Sequence, residues 1–140
     1  MFSNSSDDVR AAQADVEERD NDEMIERENR NFVALVCDSV CPDAPYLCKV
    51  AFCSVIISRY NDPSFPTTFA QIVMSDPVFC EAFTRDFSGK ASDMSLKAYD
   101  DALNGFSPCP DALYYSTTET PYLTLIKRRT LFQIGKYIFS

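Results

Sequence analysis

Ala102-Leu103-Asn104-Gly105-Phe106 carries the strongest information about the fold of this chain. The run follows a segment of helix-forming residues, which Ser92 or Asp93 is suited to cap. A glycine just after the last apolar position of such a segment is typical of a helix C-terminus, because it adopts a left-handed conformation at little cost. The sequence therefore predicts a helix that begins near residue 93 and ends before Gly105.

The residues after this helix favour short strands. β-Branched and aromatic side chains are concentrated there, and Gly135 is suited to a turn between two of the runs. The predicted strands are Leu113 to Ser116, Leu123 to Ile126, Thr130 to Ile134, and Tyr137-Ile138-Phe139. We expect them to form a small antiparallel sheet.

The first half of the chain favours helices, with prolines between them. The predicted segments are a polar helix from Val9 to about Arg30 that starts at Ser6-Asp7-Asp8, a buried helix from Phe32 that Pro42 stops, a central helix from Tyr46 to Tyr60, a short helix from Phe69 to Met74, and a short strand over Phe79-Cys80-Glu81-Ala82-Phe83. The predicted class is α+β, with helices first and small strands after them.

Charge divides the chain into two parts. The net charge is −8, and the residues before Asn31 hold ten carboxylates against four arginines. We therefore predict an acidic helical arm or linker over residues 1–31 and one domain over 32–140. The arm is either solvated or ordered by a protein partner. The acidic balance excludes nucleic acid as a partner, since Lys127-Arg128-Arg129 is too short a basic cluster to reverse it.

The sequence contains neither a membrane span nor an export signal. Its apolar runs are shorter than the roughly 18 residues that a transmembrane helix needs. The N-terminus has no basic and apolar regions of the kind that form a signal peptide. We expect a protein made in the cytoplasm, and a bacteriophage virion component released on lysis fits that origin.

Six cysteines in such a chain allow two interpretations. They are Cys37, Cys41, Cys48, Cys53, Cys80 and Cys109. An even set predicts disulfides in an oxidising setting, and here the bonds would form after release from the cytoplasm. Alternatively, all are buried thiols that act as small apolar groups. A four-thiolate zinc site from the first four has spacings that do not match paired short knuckles, so we predict no metal and no cofactor.

Five short motifs follow one another in one order. They are Lys49-Val50-Ala51 through Ser58-Arg59, Ser64-Phe65-Pro66-Thr67-Thr68, Asp101-Ala102-Leu103-Asn104-Gly105, Ala112-Leu113-Tyr114-Tyr115, and Arg129 with Ile134-Gly135 and Phe139. In this order they resemble the SleB-type cell-wall hydrolases, which cleave the glycan strands of peptidoglycan. The resemblance runs from Phe32 to Ser140 and leaves the acidic arm outside.

The resemblance implies a lysozyme-like α+β domain whose single catalytic glutamate acts as a general acid. A general acid of this kind needs a raised pKa, which burial supplies. Alignment on Pro45-Tyr46 places the family's glutamate at Val40, or at Ser39 with a shift of one residue. The acid is therefore missing. Asp38 and Asp43 are the nearby carboxylates that would have to replace it.

Other family positions also differ. Tyr137 stands where the family usually has histidine, Phe106 stands where it often has tryptophan, and the chain contains neither residue type. Sugar stacking would fall to three tyrosines, which are Tyr114, Tyr115 and Tyr122. The sequence favours a non-catalytic, cysteine-stabilised structural or assembly module. The alternative is an active glycan-strand hydrolase or lytic transglycosylase that uses Asp38 or Asp43 and binds peptidoglycan.

Overall fold

The fold consists of five helices and a small sheet in the part of the chain that the structure describes. This computed structural model describes residues 5–82, 89–119 and 128–140, without the side chains of residues 5–15 and 81–82. The elements are α1 (Ser5–Val40), α2 (Tyr46–Tyr60), α3 (Phe69–Met74), α4 (Pro77–Ala82), α5 (Asp93–Leu103), β1 (Tyr115–Thr117), β2 (Phe132–Ile134) and β3 (Tyr137–Phe139). The α+β class is confirmed. The predicted strand over Leu123 to Ile126 and the side chain of Tyr122 lie outside the described residues.

α1 is one continuous helix where the sequence predicts two segments. It passes through Asn31, whose side-chain oxygen accepts a hydrogen bond from the backbone N–H of Ala91 at 3.1 Å. From residue 16 to residue 28 every side chain is exposed, whereas Val33, Val36 and Cys37 are fully buried. One helix therefore continues from a solvated arm into the core.

α4 replaces a predicted strand, so that prediction is wrong over Phe79 to Ala82. The carboxylate of Asp76 accepts hydrogen bonds from the backbone N–H groups of Val78 at 2.9 Å and Phe79 at 3.3 Å. Pro77 follows as the first helical residue. An aspartate cap followed by proline is a helix start signal, and it outweighs the strand preference of the aromatic residues after it.

The core surrounds α2, which is buried on nearly all sides. α5 and the last turns of α1 pack against it. Phe52 of α2 makes edge-to-face contacts with Phe79, at 5.1 Å between ring centroids, and with Tyr115, at 5.2 Å. Such pairs stabilise beyond their area of burial, so they fix α4 and β1 on one side of α2.

A three-stranded sheet completes the fold, and its strand β3 packs against α2. Its strand order is β1-β3-β2, and both pairs are antiparallel. Phe139 is opposite Tyr115 on one side and Phe132 on the other. Gly135 turns the chain between β2 and β3 with a φ of 56°. The predicted hairpin is confirmed, which fixes the C-terminal strand against α2.

None of the described helices is both long enough and apolar enough to cross a membrane.

Candidate functional site

The end of α1 is the region where the family resemblance places the missing acid. Asp38, Ser39 and Val40 are half-buried there. Asp38 accepts three hydrogen bonds from the start of α5: the backbone N–H and the hydroxyl of Ser92, each at 2.7 Å, and the hydroxyl of Ser95 at 2.5 Å. Its carboxylate therefore ties the end of α1 to the first turn of α5.

A buried cation completes this network. The Lys49 ammonium is 3.7 Å from the Asp38 carboxylate and 3.4 Å from the Ser95 hydroxyl, and its side chain is 3% exposed. Burial alone would raise the pKa of Asp38, but the hydrogen bonds from Ser92 and Ser95 and the charge of Lys49 outweigh it and lower that pKa. Asp38 is thus held as an anion, the opposite of what a general acid needs at neutral pH.

Asp43 lies in a different setting. It is exposed in the turn that connects α1 to α2. Tyr137, at the family's histidine position, lies close enough to feel its charge: burial and then the nearby Cys48, Cys41 and Asp43 raise the pKa of this phenol. Asp43 and the half-buried Tyr137 therefore lie near each other, and the side chain of Asp43 faces solvent.

The predicted sugar-binding tyrosines are in different environments. Tyr114 is half-buried, and its ring packs near the guanidinium groups of Arg128 and Arg59, at 4.5 Å and 5.3 Å from the ring centroid. Tyr115 is 3% exposed and packs inside the core, which gives its ring a structural role. Tyr122 is not among the described residues. Stacking on sugars by these side chains stays a prediction.

Arg59, at the family's usual arginine, is a buried structural cation. Its guanidinium is 2.8 Å from the Asp76 carboxylate and donates to the carbonyl of Leu113 at 2.7 Å. The rings of Phe65, Phe79 and Tyr114 surround it at 5.1 to 5.3 Å. This cluster connects α2, α4 and the segment before β1. Asp76 was not singled out by the sequence, although Asp followed by Pro is a signal that could have identified it.

The cysteines are thiols in this structure, without disulfides among them. Five are buried, and Cys80 is half-buried. Cys37, in the last turn of α1, and Cys41, directly after the helix, face each other with 3.7 Å between their sulfur atoms. Within the described ranges, no three Cys, Asp or Glu side chains are grouped in a way that could hold a metal ion.

The chain belongs to the cell wall hydrolase family, whose family model matches residues 43–140. It is similar to the spore cortex-lytic enzyme of Bacillus subtilis, with 30% identity over 115 residues that cover 79% of this chain and 38% of the relative. The enzyme of the same name from Oceanobacillus iheyensis is 31% identical over 115 residues, 79% of this chain and 42% of that protein. This chain thus spans less than half the length of these relatives.

Two solved structures share the fold. The catalytic domain of the Bacillus cereus SleB protein aligns with a TM-score of 0.65 at 32% identity, over 80% of this chain and 89% of that domain. The catalytic domain of the germination-specific lytic transglycosylase SleB from Bacillus anthracis aligns with a TM-score of 0.64 at 29% identity, over 79% and 93%. The resemblance drawn from the sequence motifs is therefore confirmed.

Proposed function

We propose that this chain is a cell wall hydrolase domain that has lost hydrolysis and serves as a structural or assembly module. The observation that carries the proposal is the state of Asp38. Four polar groups from α2 and α5 hold its carboxylate as an anion, and Ser39 and Val40 beside it have no acid to donate.

Incubation with purified peptidoglycan tests the loss of hydrolysis. We expect no release of muropeptides, while the catalytic domain of Bacillus cereus SleB, the matched positive control for the fold, is assayed in parallel. Release by this chain would favour the alternative, an active hydrolase or lytic transglycosylase. The variants Asp38→Asn and Asp43→Asn would then show which carboxylate carries the reaction, because the amide keeps the shape and removes the acid.

Peptidoglycan binding without cleavage is compatible with the proposal. A domain that keeps the family's scaffold can retain affinity for glycan strands after the acid is lost. Co-sedimentation with insoluble peptidoglycan measures this directly. Tyr114→Ala is the informative variant, since the ring is half-buried and predicted to stack on sugars. A loss of sedimentation in that variant would support glycan contact at the tyrosine, and unchanged sedimentation would argue against it.

The arm is the proposed contact with a protein partner. Residues 16–28 of α1 are exposed on every face and carry seven carboxylates and two arginines. A groove of about 450 Å³ lies where the arm meets α5, and it is lined by three carboxylates, two arginines, a tyrosine and a leucine: Glu23, Glu26, Asp100, Arg27, Arg30, Tyr99 and Leu103. The excess of carboxylates along the arm suits a basic segment of a partner, and the exposed side chain of Leu103 suits an apolar side chain on that segment. Cross-linking in the native source, with and without residues 1–27, tests the contact.

The biological setting stays a prediction. A virion component would be found in purified bacteriophage particles by mass spectrometry of their proteins. The same particles would show whether the cysteines pair after lysis, by comparison of thiol counts before and after reduction. Six thiols in particle-derived protein would exclude the disulfide-stabilised form.

A further inference from the structure

Four of the six cysteines meet where the end of α1 packs against α2. Cys37 is in the last turn of α1 and Cys41 directly follows the helix, while Cys48 and Cys53 belong to α2. All four are at most 1% exposed. Burial by itself fits thiols that act as small apolar groups. The contact between the sulfur atoms of Cys37 and Cys41 goes beyond packing, because it brings two thiols close enough to react with each other.

The Cys37 and Cys41 thiols form an unequal pair. Their sulfur atoms are 3.7 Å apart, and the Cys41 thiol also lies 3.3 Å from the carbonyl of Cys37. Hydrogen bonds from Cys41 and then Cys53, helped by the charge of Lys49, lower the pKa of Cys37. The contact with Cys37 raises the pKa of Cys41. Cys37 is the better nucleophile, because the thiolate is the reactive form.

We propose that Cys37 and Cys41 are a redox-modifiable pair that forms an intramolecular disulfide with a two-electron oxidant such as hydrogen peroxide. The Cys37 thiolate attacks one peroxide oxygen, the O–O bond breaks, and Cys37 becomes a sulfenic acid as hydroxide leaves. The Cys41 sulfur then attacks the Cys37 sulfur, the S–O bond breaks, and the departing hydroxide takes the Cys41 proton. Two thiols and one peroxide yield one disulfide and two waters.

The helix end makes this bond attainable. A disulfide needs Cβ atoms about 3.5–4.5 Å apart, whereas residues four apart on a helix hold them at about 5–6 Å. Cys41 lies just beyond Val40, so the last turn must release the hydrogen bond from the Cys41 N–H to the Cys37 carbonyl, now 3.0 Å long. In the sequence, Asp38, Ser39 and Val40 lie between the two cysteines. Oxidation would therefore move the residues at the family's catalytic position.

Thiol mapping in the Cys80→Ser variant tests the pair, since Cys80 is the half-buried cysteine and would otherwise react first. The reduced, folded protein is treated with hydrogen peroxide, quenched, denatured, alkylated and digested with trypsin. The peptide from Asn31 to Lys49 contains Cys37, Cys41 and Cys48. We expect this peptide to lose the mass of two hydrogens and to carry one alkyl group, which fragmentation places on Cys48.

Two matched variants complete the test. Cys41→Ser in the same background should abolish the bond, and Cys48→Ser should leave it intact. A bond from Cys37 to Cys48 or Cys53, or thiols that all stay alkylatable at peroxide concentrations that consume exposed thiols, would overturn the proposal. If Cys41→Ser does not fold, mapping of the Cys80→Ser protein still decides. The muropeptide assay is independent of this result, so failure of one proposal does not imply failure of the other.

Discussion

The carboxylate of Asp38 gives the protein a defined response to acid. Its pKa is lowered in the folded state by its donors, from an ordinary value of about 3.9. The stability it contributes is therefore fully present above about pH 5 and is lost as the pH falls through the folded-state pKa. Asp38→Asn has no such titration. We expect the stability advantage of the wild type over this variant to be constant from about pH 5 to 7 and to shrink below about pH 4.

Chemical denaturation at several pH values measures this difference. Asp43→Asn is the matched control, because Asp43 is exposed near the same helix end. A difference between wild type and Asp38→Asn that grows as the pH falls would contradict the assignment of Asp38 as a stabilising anion. Such growth would instead fit a carboxyl that is protonated in the folded protein, as a general acid requires.

Removal of the buried Arg59 guanidinium should strongly lower the free energy of unfolding. Arg59→Met keeps an unbranched side chain similar to the aliphatic stem of arginine but leaves the Asp76 carboxylate, whose side chain is 8% exposed, without its cation. Breaking a buried pair in this way destabilises by about 3–5 kcal/mol. Denaturant unfolding measures the change, and Arg27→Met on the exposed arm should change stability by less than about 0.5 kcal/mol. Similar values for the two variants would refute the structural role of Arg59.

Sequence could identify the residues of the candidate site but not what they contact. Asp38 was a candidate because it lies beside Ser39 and Val40, where the family has its acid. Its partners Ser92 and Ser95 are 54 and 57 residues away along the chain. Only the packing of α5 against α1 brings them together. From its position in the sequence, Asp38 was a candidate proton donor. Its contacts in the folded protein instead favour the ionised carboxylate.

The end of α5 shows an element that the sequence does encode locally. Gly105 has a φ of 85°, and the backbone N–H groups of Phe106 and Gly105 donate to the carbonyls of Asp101 at 2.8 Å and Ala102 at 3.1 Å. This is the Schellman arrangement, which needs a left-handed residue. Asn-Gly after the apolar positions was enough to predict it. The match of Asn104-Gly105 to the family motif therefore follows from a backbone requirement: the helix end needs a residue in the left-handed conformation.

Gly105→Ala tests that reason. No atom lies within 4 Å of the position a Cβ would take, so the cost is backbone strain alone. We expect a loss of about 1 kcal/mol in the free energy of unfolding. Leu103→Ala is the neighbouring control, since its side chain is 58% exposed, and it should change stability by less than about 0.5 kcal/mol. Equal effects would mean that the helix end does not depend on the glycine.

Two elements were mispredicted for different reasons. The strand prediction for α4 followed the aromatic residues Phe79 and Phe83 and missed the Asp76-Pro77 start signal, which is local and was present in the sequence. The sequence predicted two helical segments in place of α1, because the composition changes near Asn31. A continuous helix can nevertheless pass from solvent into the core without any change in its backbone conformation. Bidentate hydrogen bonds from Arg30 to Asp100, at 2.7 and 2.8 Å, hold the helix at this point.

At the scale of the whole molecule, the single helix α1 connects an exposed segment, residues 16–28, to the packed core. Residues 16–28 bury no side chain, so removal of residues 1–27 should take away helical circular dichroism while the thermal midpoint shifts by less than about 4 °C, roughly the shift for 1 kcal/mol in a chain of this size. A larger fall would mean that the arm stabilises the domain. The arm's charge and exposure would then need an explanation other than contact with a partner.

A glutamate introduced at the family's catalytic position tests whether the rest of the fold still positions glycan strands for cleavage. Ser39→Glu or Val40→Glu places a carboxyl at the half-buried end of α1, where burial raises its pKa toward that of a general acid. If the rest of the fold still positions glycan strands, we expect one of the two variants to release muropeptides from peptidoglycan. Ser39→Gln and Val40→Gln, which match the size without the acid, should release none. Folded but inactive glutamate variants would show that substrate positioning was lost together with the acid, since a misplacement of about 1 Å alone costs about a hundredfold in rate.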